Sequence, residues 1–566
     1  MLPHQRDRAG RRRDLIGTLR LRGEPLREHP RTLLALLDAA ARRAPSRPFL
    51  VERDAHGVWH QVTFATLAER SRRIGAALLA LGASERRPVM ILSGNGIDHA
   101  MVTFGALRAG IPVVPVAASV ARSVRHGFAR LRAVAEIVRP GVVFARGGAL
   151  YAEAARAVAP GAAYVTADEP DAGPRTFDYA RLLAHEPLAP GTVSVGPETV
   201  AKIMVAAGAS GEPKGVVVTH GMICAMLQGI AQAWPFLDEH PPVVVDRLPW
   251  SDGTGGNVVV GLVLRGAGTL YVDDANALRA EIPPTLAFDV PLGWAGWVER
   301  LRGDDALRRR WLSQLDLACW AGATLAPATR DALRAIGVPL AAAWGATETS
   351  PAVTLTTGVD PKYDALGVPL AGVELKLVPA GDAYEARVRG PQVTPGYYWR
   401  PDLTAAVFDE EGFYRTGDVV RPIDARKPER GIEHVARTDD CFKLSSGAWV
   451  RAADLSLAFL AECSDAADVL VTGDGRDEVG LLVWPTAAAL LLDRDVLRAQ
   501  IADAMRRVVA DSAAERPRRA LLVVEPPSAE ERMPHGGLLR RAVLARRAAA
   551  VARLHASLPD AEVIVV

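Results

Sequence analysis

Residues Val205–His220 read VAAGASGEPKGVVVTH. Four small residues, Gly208, Ala209, Ser210 and Gly211, separate two apolar runs of strand character, Ile203–Val205 and Val216–Val218. Lys214 stands just past Pro213. A loop of this kind lets backbone N–H groups approach phosphate oxygens closely, and a lysine adds a point charge beside them. It is not a Walker A loop, because the GxxxxGK[ST] spacing and the following helix are absent. By itself a Gly/Ala/Ser/Pro loop is more often simply a turn, so its meaning depends on what surrounds it.

Moving outward, residues 30–435 alternate short apolar runs with amphipathic stretches, the pattern of α/β layers. Phe64–Leu81 places Leu67, Ile74, Leu78 and Leu79 at helical spacing. Pro88–Leu92 reads as a buried strand, Gly94–Gly96 as a turn, His99–Arg108 as a helix and Ile111–Val116 as the next strand. That is a βαβ unit, which predicts a parallel sheet. Similar stretches begin near Val142 and Val243. The composition shifts at the charged segment Asp424–Arg430 (DARKPER). Beyond it the sequence predicts a hairpin over Cys441–Val450, helices over Ala452–Ala461 and Asp495–Val509, strands at Val469–Val471, Val479–Trp484 and Leu521–Val524, and one basic helix over Leu538–Leu554. The expected architecture is α/β: a large multi-layer N-terminal domain with parallel-sheet subdomains at 31–437, and a small α+β domain at 438–566. A frayed basic tail is expected at 1–30.

Composition narrows the function. Of 566 residues 49% are apolar and 23% charged, which excludes a disordered chain. The 67 basic and 65 acidic residues nearly cancel, so no nucleic-acid or anionic-membrane partner is expected. No run approaches the ~18–20 apolar residues of a membrane span. Cys224, Cys319, Cys441 and Cys463 form no C-x-x-C pair, which fits a reducing cytoplasm. Six of the 67 basic residues are lysine: Lys202, Lys214, Lys362, Lys376, Lys427 and Lys443. Each therefore poses the question of why arginine would not serve.

Three further segments accompany the loop: WGATETSP at Trp344–Pro351, YRTGD at Tyr414–Asp418, and VARTDDCFKLSSGAW at Val435–Trp449. In this order the four resemble the acyl-adenylate-forming superfamily of AMP-dependent synthetases and ligases. The likeness is nearest to feruloyl-CoA synthase-type acyl- and aryl-CoA ligases, and runs from RPFL at Arg47 to RAVLARRAA at Arg541. It takes in ILSGN at Ile91, LPW at Leu248, LVLR and GTLY from Leu262, RVRGPQVTPGY from Arg387, and RPDLTAAVFDEEGFYR from Arg400.

The resemblance implies a two-step reaction. A carboxylate attacks the α-phosphate of MgATP to give an acyl-AMP and pyrophosphate, and a thiol then displaces AMP. Activation divides one hard step into two easier ones. The implied acid is aromatic or medium apolar, and the implied acceptor is coenzyme A or a carrier-protein thiol. By the same resemblance Lys214, Ser210, Gly208 and Gly211 hold the β/γ-phosphates, Thr347 the α-phosphate, and Glu348 Mg²⁺. Asp418 accepts the ribose hydroxyls with Arg437 beside it, and Gly322 lies at the nucleotide and acyl site. Trp250, Ala323 and Trp344 fall near the acyl pocket. Asp439 is the hinge about which the small domain rotates, and Lys443 reaches the site only after that rotation.

Three departures accompany the likeness. Relatives read T-S-G-S-T-G where Ala206, Ala207 and Ala209 replace three hydroxyl residues, and each lost bond to a charged oxygen is worth ~1.5–3 kcal/mol. The histidine of LPWNHTFGGN is Asp252, an anion beside anionic reactants. The C-terminal adenylation lysine is His535, and no lysine follows Lys443. The sequence therefore leaves three readings open: an ATP-dependent acid–CoA ligase, a relative that binds without adenylating, or one that performs only the thioester-forming half-reaction. Arg532 or Arg540 is a candidate substitute for the missing lysine.

Overall fold

A computed structural model of the chain describes residues 17–566 except 55, 123–127, 168–172, 174, 208–212, 273–280, 323–324, 357–364, 381–382, 447, 509–515 and 533–536. The βαβ unit is present: strand Val89–Ile91, helix Ile97–Arg108 and strand Val113–Pro115, with the two strands parallel. They form the centre of a seven-stranded sheet that continues in parallel through Val142–Ala145, Ala163–Thr166 and Thr176–Asp178. At its other side Val200–Ala207 runs parallel to Val113–Pro115 and turns back into Pro213–Thr219. The small-residue loop between them is thus the connection of an edge hairpin. Its own residues, Gly208, Ser210 and Gly211 among them, lie outside the described residues.

A second, fourteen-stranded sheet has two halves. One is parallel, through Thr269–Val272, Val243–Asp246, Leu286–Asp289, Leu317–Trp320 and Leu340–Trp344. The other is an antiparallel meander of Glu374–Ala380, Ala383–Arg389, Tyr414–Pro422 and Ile432–Arg437. Parallel strands buried on both faces read as continuous apolar runs, which is why VVVD, LAFD and LACW carry so few charges. After Thr438 a two-stranded hairpin, Cys441–Lys443 with Trp449–Arg451, and a four-stranded sheet enclose a separate core around Phe459, Val471, Leu481 and Ile501. The molecule is therefore a large multi-sheet α/β domain followed by a small α+β domain.

Three expectations change. Leu19–Arg22, placed by sequence in the basic tail, is an edge strand on Glu374–Ala380, and Arg20 and Arg22 pair with Glu374. The DARKPER segment is the connection of the hairpin Tyr414–Pro422/Ile432–Arg437, so the change in composition precedes the change of sheet. The basic C-terminal helix is two helices, Arg540–Arg546 and Ala548–Leu554. Arg547 between them leaves helical geometry (φ −101°, ψ 22°) with its guanidinium 2.9 Å from the buried carboxylate of Glu531. Among the described residues no helix is long and apolar enough to cross a membrane.

Candidate functional site

Two clusters form around Trp344–Thr349, the segment that ends the parallel run of the large sheet and supplies Trp344 to one and Glu348 to the other. The first is built on facing strand residues, because Asp418 and Arg437 are register partners. Gly417 adopts φ +72°, and a Cβ there would come within 3.0 Å of Arg437 Nη2, so the turn onto Asp418 requires glycine. Arg437 Nη1 donates to Asp418 Oδ1 at 2.8 Å and to the Thr416 carbonyl at 3.1 Å. His434 Nε2 lies 3.4 Å from the same carboxylate oxygen, and Trp344 Nε1 donates to Asp418 Oδ2 at 3.2 Å. Burial pushes the Asp418 carboxyl up, but His434 and Arg437 outweigh it and hold the group below its ordinary value. A buried, fixed carboxylate results. Trp344, expected near the acyl pocket, is a hydrogen-bond partner of that carboxylate.

The second cluster depends on the segment Thr394–Tyr398 lying along the edge hairpin. Val217 N–H donates to Gly396 O at 3.1 Å, Tyr398 N–H to Gly215 O at 2.8 Å, and Thr394 N–H to Glu348 O at 2.7 Å. These bonds bring one side chain from each motif together. Lys214 Nζ donates to Tyr397 Oη at 3.2 Å and lies 4.5 Å from the ring centre, and Tyr397 Oη donates to Glu348 Oε1 at 2.8 Å. Tyr414 joins the same network, and burial together with the Glu348 charge raises both tyrosine hydroxyls above their ordinary value. Both tyrosines therefore stay protonated donors. Glu348 is 7% exposed and Thr347 begins the 3₁₀ turn Thr347–Thr349 beside it. A hard carboxylate oxygen separated by one tyrosine from a lysine at the start of the strand after a phosphate-type loop fits Mg²⁺, which is bound through one or two carboxylates plus phosphate oxygens.

The LPWSDGTGGN segment is fastened to the ILSGN turn: Asn95 Nδ2 donates to Leu248 O at 2.8 Å and Trp250 N–H to Asn95 Oδ1 at 2.9 Å. Asp252 is exposed, and its Oδ1 accepts the Thr254 N–H at 2.8 Å ahead of the π-helix Thr254–Val259. That is an Asx-type turn, a structural use for the anion. Behind this helix Lys202 is buried and donates to Gly256 O at 2.6 Å. Burial pulls its ammonium down to about 7. An unfolded lysine binds its proton near ~10.4, so between the two values the unfolded chain holds more protons and stability rises with pH, at ~1.4 kcal/mol per unit. Wild type should gain on Lys202→Met in urea unfolding between pH 7 and 10, with no further change in the difference below about 7.

Gly322 follows strand Leu317–Trp320 at φ +88°, with open space where a side chain would stand. Asp439 lies in the turn Thr438–Asp440, where the chain passes into the small domain. Lys443 is exposed on the small domain's hairpin, opposite Trp449. His535 and Ala323 lie outside the described residues. Arg532 pairs with Asp468, while Arg540 donates to Val471 O and lies 5.0 Å from the Phe442 ring centre, so both candidate substitutes are engaged within the small domain. Sequence reasoning missed Tyr397, Tyr414 and His434. Tyr397 and Tyr414 stand within the RVRGPQVTPGY and YRTGD stretches, and their partners are set only by the pairing of distant strands.

The AMP-binding enzyme family model matches residues 37–398. An L-proline–[L-prolyl-carrier protein] ligase of Pseudomonas fluorescens is 26% identical over 462 residues, 76% of this chain and 86% of that protein. A 4-hydroxybenzoate–CoA/benzoate–CoA ligase of Rhodopseudomonas palustris is 26% identical over 449 residues, 76% of this chain and 79% of that protein. The fold matches ATP-bound MatB from Rhodopseudomonas palustris with a TM-score of 0.69 at 20% identity, covering 91% of this chain and 99% of the other. Other relatives are far longer: the chain spans 18% of a mycosubtilin synthase protein of Bacillus subtilis, to which it is 24% identical over 507 residues.

Proposed function

Since the chain belongs to the AMP-binding enzyme family, we propose that it activates a carboxylic acid with ATP as an acyl-adenylate and passes the acyl group to a thiol. The observation that carries the reading is the Lys214–Tyr397–Glu348 chain linked to the Asp418–Arg437 pair through one segment, since Trp344 bonds Asp418 and Glu348 bonds Tyr397. Asp418 takes the ribose hydroxyls, with Arg437 and Trp344 fixing its orientation. Lys214, with the small-residue loop of Gly208, Ser210 and Gly211, neutralises the β/γ-phosphates, and Thr347 contacts the α-phosphate. Glu348, held by Tyr397, is the residue for Mg²⁺, which when bound supplies neutralisation of phosphate charge. Tyr397 is a positioning residue: it accepts from Lys214 and donates to Glu348, so cation and anion stay apart and each keeps capacity for a ligand.

The acid is aromatic or medium apolar, and the acceptor is coenzyme A. A carrier-protein thiol is the alternative, and relatives of both kinds match to similar extents. The limits 31–437 and 438–566, with Asp439 as hinge and Lys443 serving the thiol step, belong to the same proposal. Acid-dependent pyrophosphate release is expected with at least one member of a panel of hydroxycinnamates, benzoates and medium-chain fatty acids. Release with none of them would favour a relative that binds nucleotide without adenylating. Thioester formed from synthetic acyl-AMP and coenzyme A in that case would assign it the second half-reaction alone.

A further inference from the structure

Lys202 is not used by the nucleotide site, and its surroundings ask for a ligand. It lies on strand Val200–Ala207, 6% exposed, and among the described residues no carboxylate pairs with it. An ammonium has three donors, and the bond to Gly256 O uses one. With His99, Thr103 and Trp250 it lines a cavity of about 20 Å³, room for one water-sized group, whose other walls are apolar residues such as Phe104 and Val260. Thr103 Oγ1 is buried there without a hydrogen-bond partner. His99 Nδ1 is 3.0 Å from the Gly94 carbonyl, which accepts only, so the proton sits on Nδ1 and Nε2 keeps its lone pair. Burial, with Lys202 and Arg146 nearby, pulls the imidazole down to about 4, so it stays neutral. A guanidinium, with five donors in a rigid plane, matches neither the single carbonyl nor the size of this space, and that accounts for one of the six lysines.

The cavity also has a place relative to the adenylation motifs. Gly253, three residues before Gly256, abuts Pro351, and a Cβ at Gly253 would sit 3.2 Å from Pro351 Cγ. The cavity is thus lined by Gly256 of the same helical segment whose Gly253 touches Pro351 of the Trp344–Pro351 motif. A Cβ at Gly256 would meet Trp250 O at 2.3 Å and Lys202 Nζ at 3.2 Å, so only glycine leaves the segment close to the ammonium.

We propose that this cavity is the far end of the acid-binding site, and that Lys202, His99 and Thr103 hold a single hydroxyl on the end of the acid remote from its carboxylate. A hydroxyl accepts from Lys202 and donates to His99 Nε2, satisfying both. A second carboxylate exceeds the space and meets the imidazole lone pair, while a methyl leaves the Thr103 hydroxyl and the Lys202 donors beyond the one on Gly256 O unmet. The assignment of the acid's other end rests on the adenylation reading above.

Equilibrium binding to the whole chain, by calorimetry, tests it with matched pairs: 4-hydroxybenzoate and benzoate, 4-hydroxycinnamate and cinnamate, 8-hydroxyoctanoate and octanoate. The hydroxylated member of at least one pair should bind roughly ten- to hundredfold tighter. Lys202→Met should abolish the preference, and Thr103→Val, which keeps shape, should reduce it by a smaller factor, each variant first shown folded by its unfolding transition. Equal affinity within every pair, no binding of any acid, or a preference unchanged in the folded variants overturns the proposal. Pyrophosphate release separates the two readings. A hydroxyl preference in binding without release leaves the cavity assignment standing and sinks adenylation, and release without any preference sinks the cavity alone.

Discussion

Asp418→Ala should weaken AMP and ATP binding by roughly 10²–10⁴-fold, because two hydrogen bonds to a charged acceptor are worth ~1.5–3 kcal/mol each. The carboxylate has about four lone-pair sites. Arg437 and, at a long 3.4 Å, His434 approach Oδ1 while Trp344 donates to Oδ2, so one ribose hydroxyl takes the open direction on Oδ2 and the other displaces the long His434 contact on Oδ1. Asp418→Asn is the sharper variant. It keeps the shape but offers one acceptor oxygen, and its NH₂ must face either the Arg437 guanidinium or the Trp344 indole, both donors. It should lose most of the same affinity and, through the bond lost to Arg437 or Trp344, also lower the unfolding midpoint. Because His434 and Arg437 hold the carboxyl below its ordinary value despite burial, AMP affinity should not fall through this group between pH 8 and 5. Calorimetric titration with AMP reads both effects, and an Asn variant that binds as tightly as wild type would remove Asp418 from the ribose site.

How much of this was legible in the sequence depends on the range of the interaction. The βαβ unit over Pro88–Val116 could be read because apolar periodicity and the Gly94–Gly96 turn act within a few residues. The role of Trp344 could not. Its partner Asp418 is 74 residues away, and they meet only because Leu340–Trp344 and Tyr414–Pro422 belong to one sheet with other strands between them. Leu19–Arg22 misled for a related reason: an arginine-rich edge strand looks like a solvated tail until Glu374 and Glu411 appear opposite it. Asp252 shows the reverse. The family pattern cast its charge as an electrostatic problem, whereas a short-range turn at Thr254 explains an exposed aspartate at that position. Lys202 carried a signal in its rarity, but its meaning needed the cavity.

The second large effect concerns residue 535. His535→Lys is expected to raise acid-dependent pyrophosphate release by roughly 10²–10³-fold, the usual range for restoring one donor aimed at developing transition-state charge. Arginine does not fill the role. Arg532 is tied to Asp468, and Arg540 to the Val471 carbonyl and the Phe442 ring, so recruiting either breaks contacts that hold the small domain together. An imidazole can act as a cation only when protonated, and its ordinary pKa is ~6.5. If His535→Lys leaves release at background while AMP still binds through Asp418, the eroded loop at Ala206, Ala207 and Ala209 has removed adenylation independently of the lysine, and the binding or half-reaction reading replaces it.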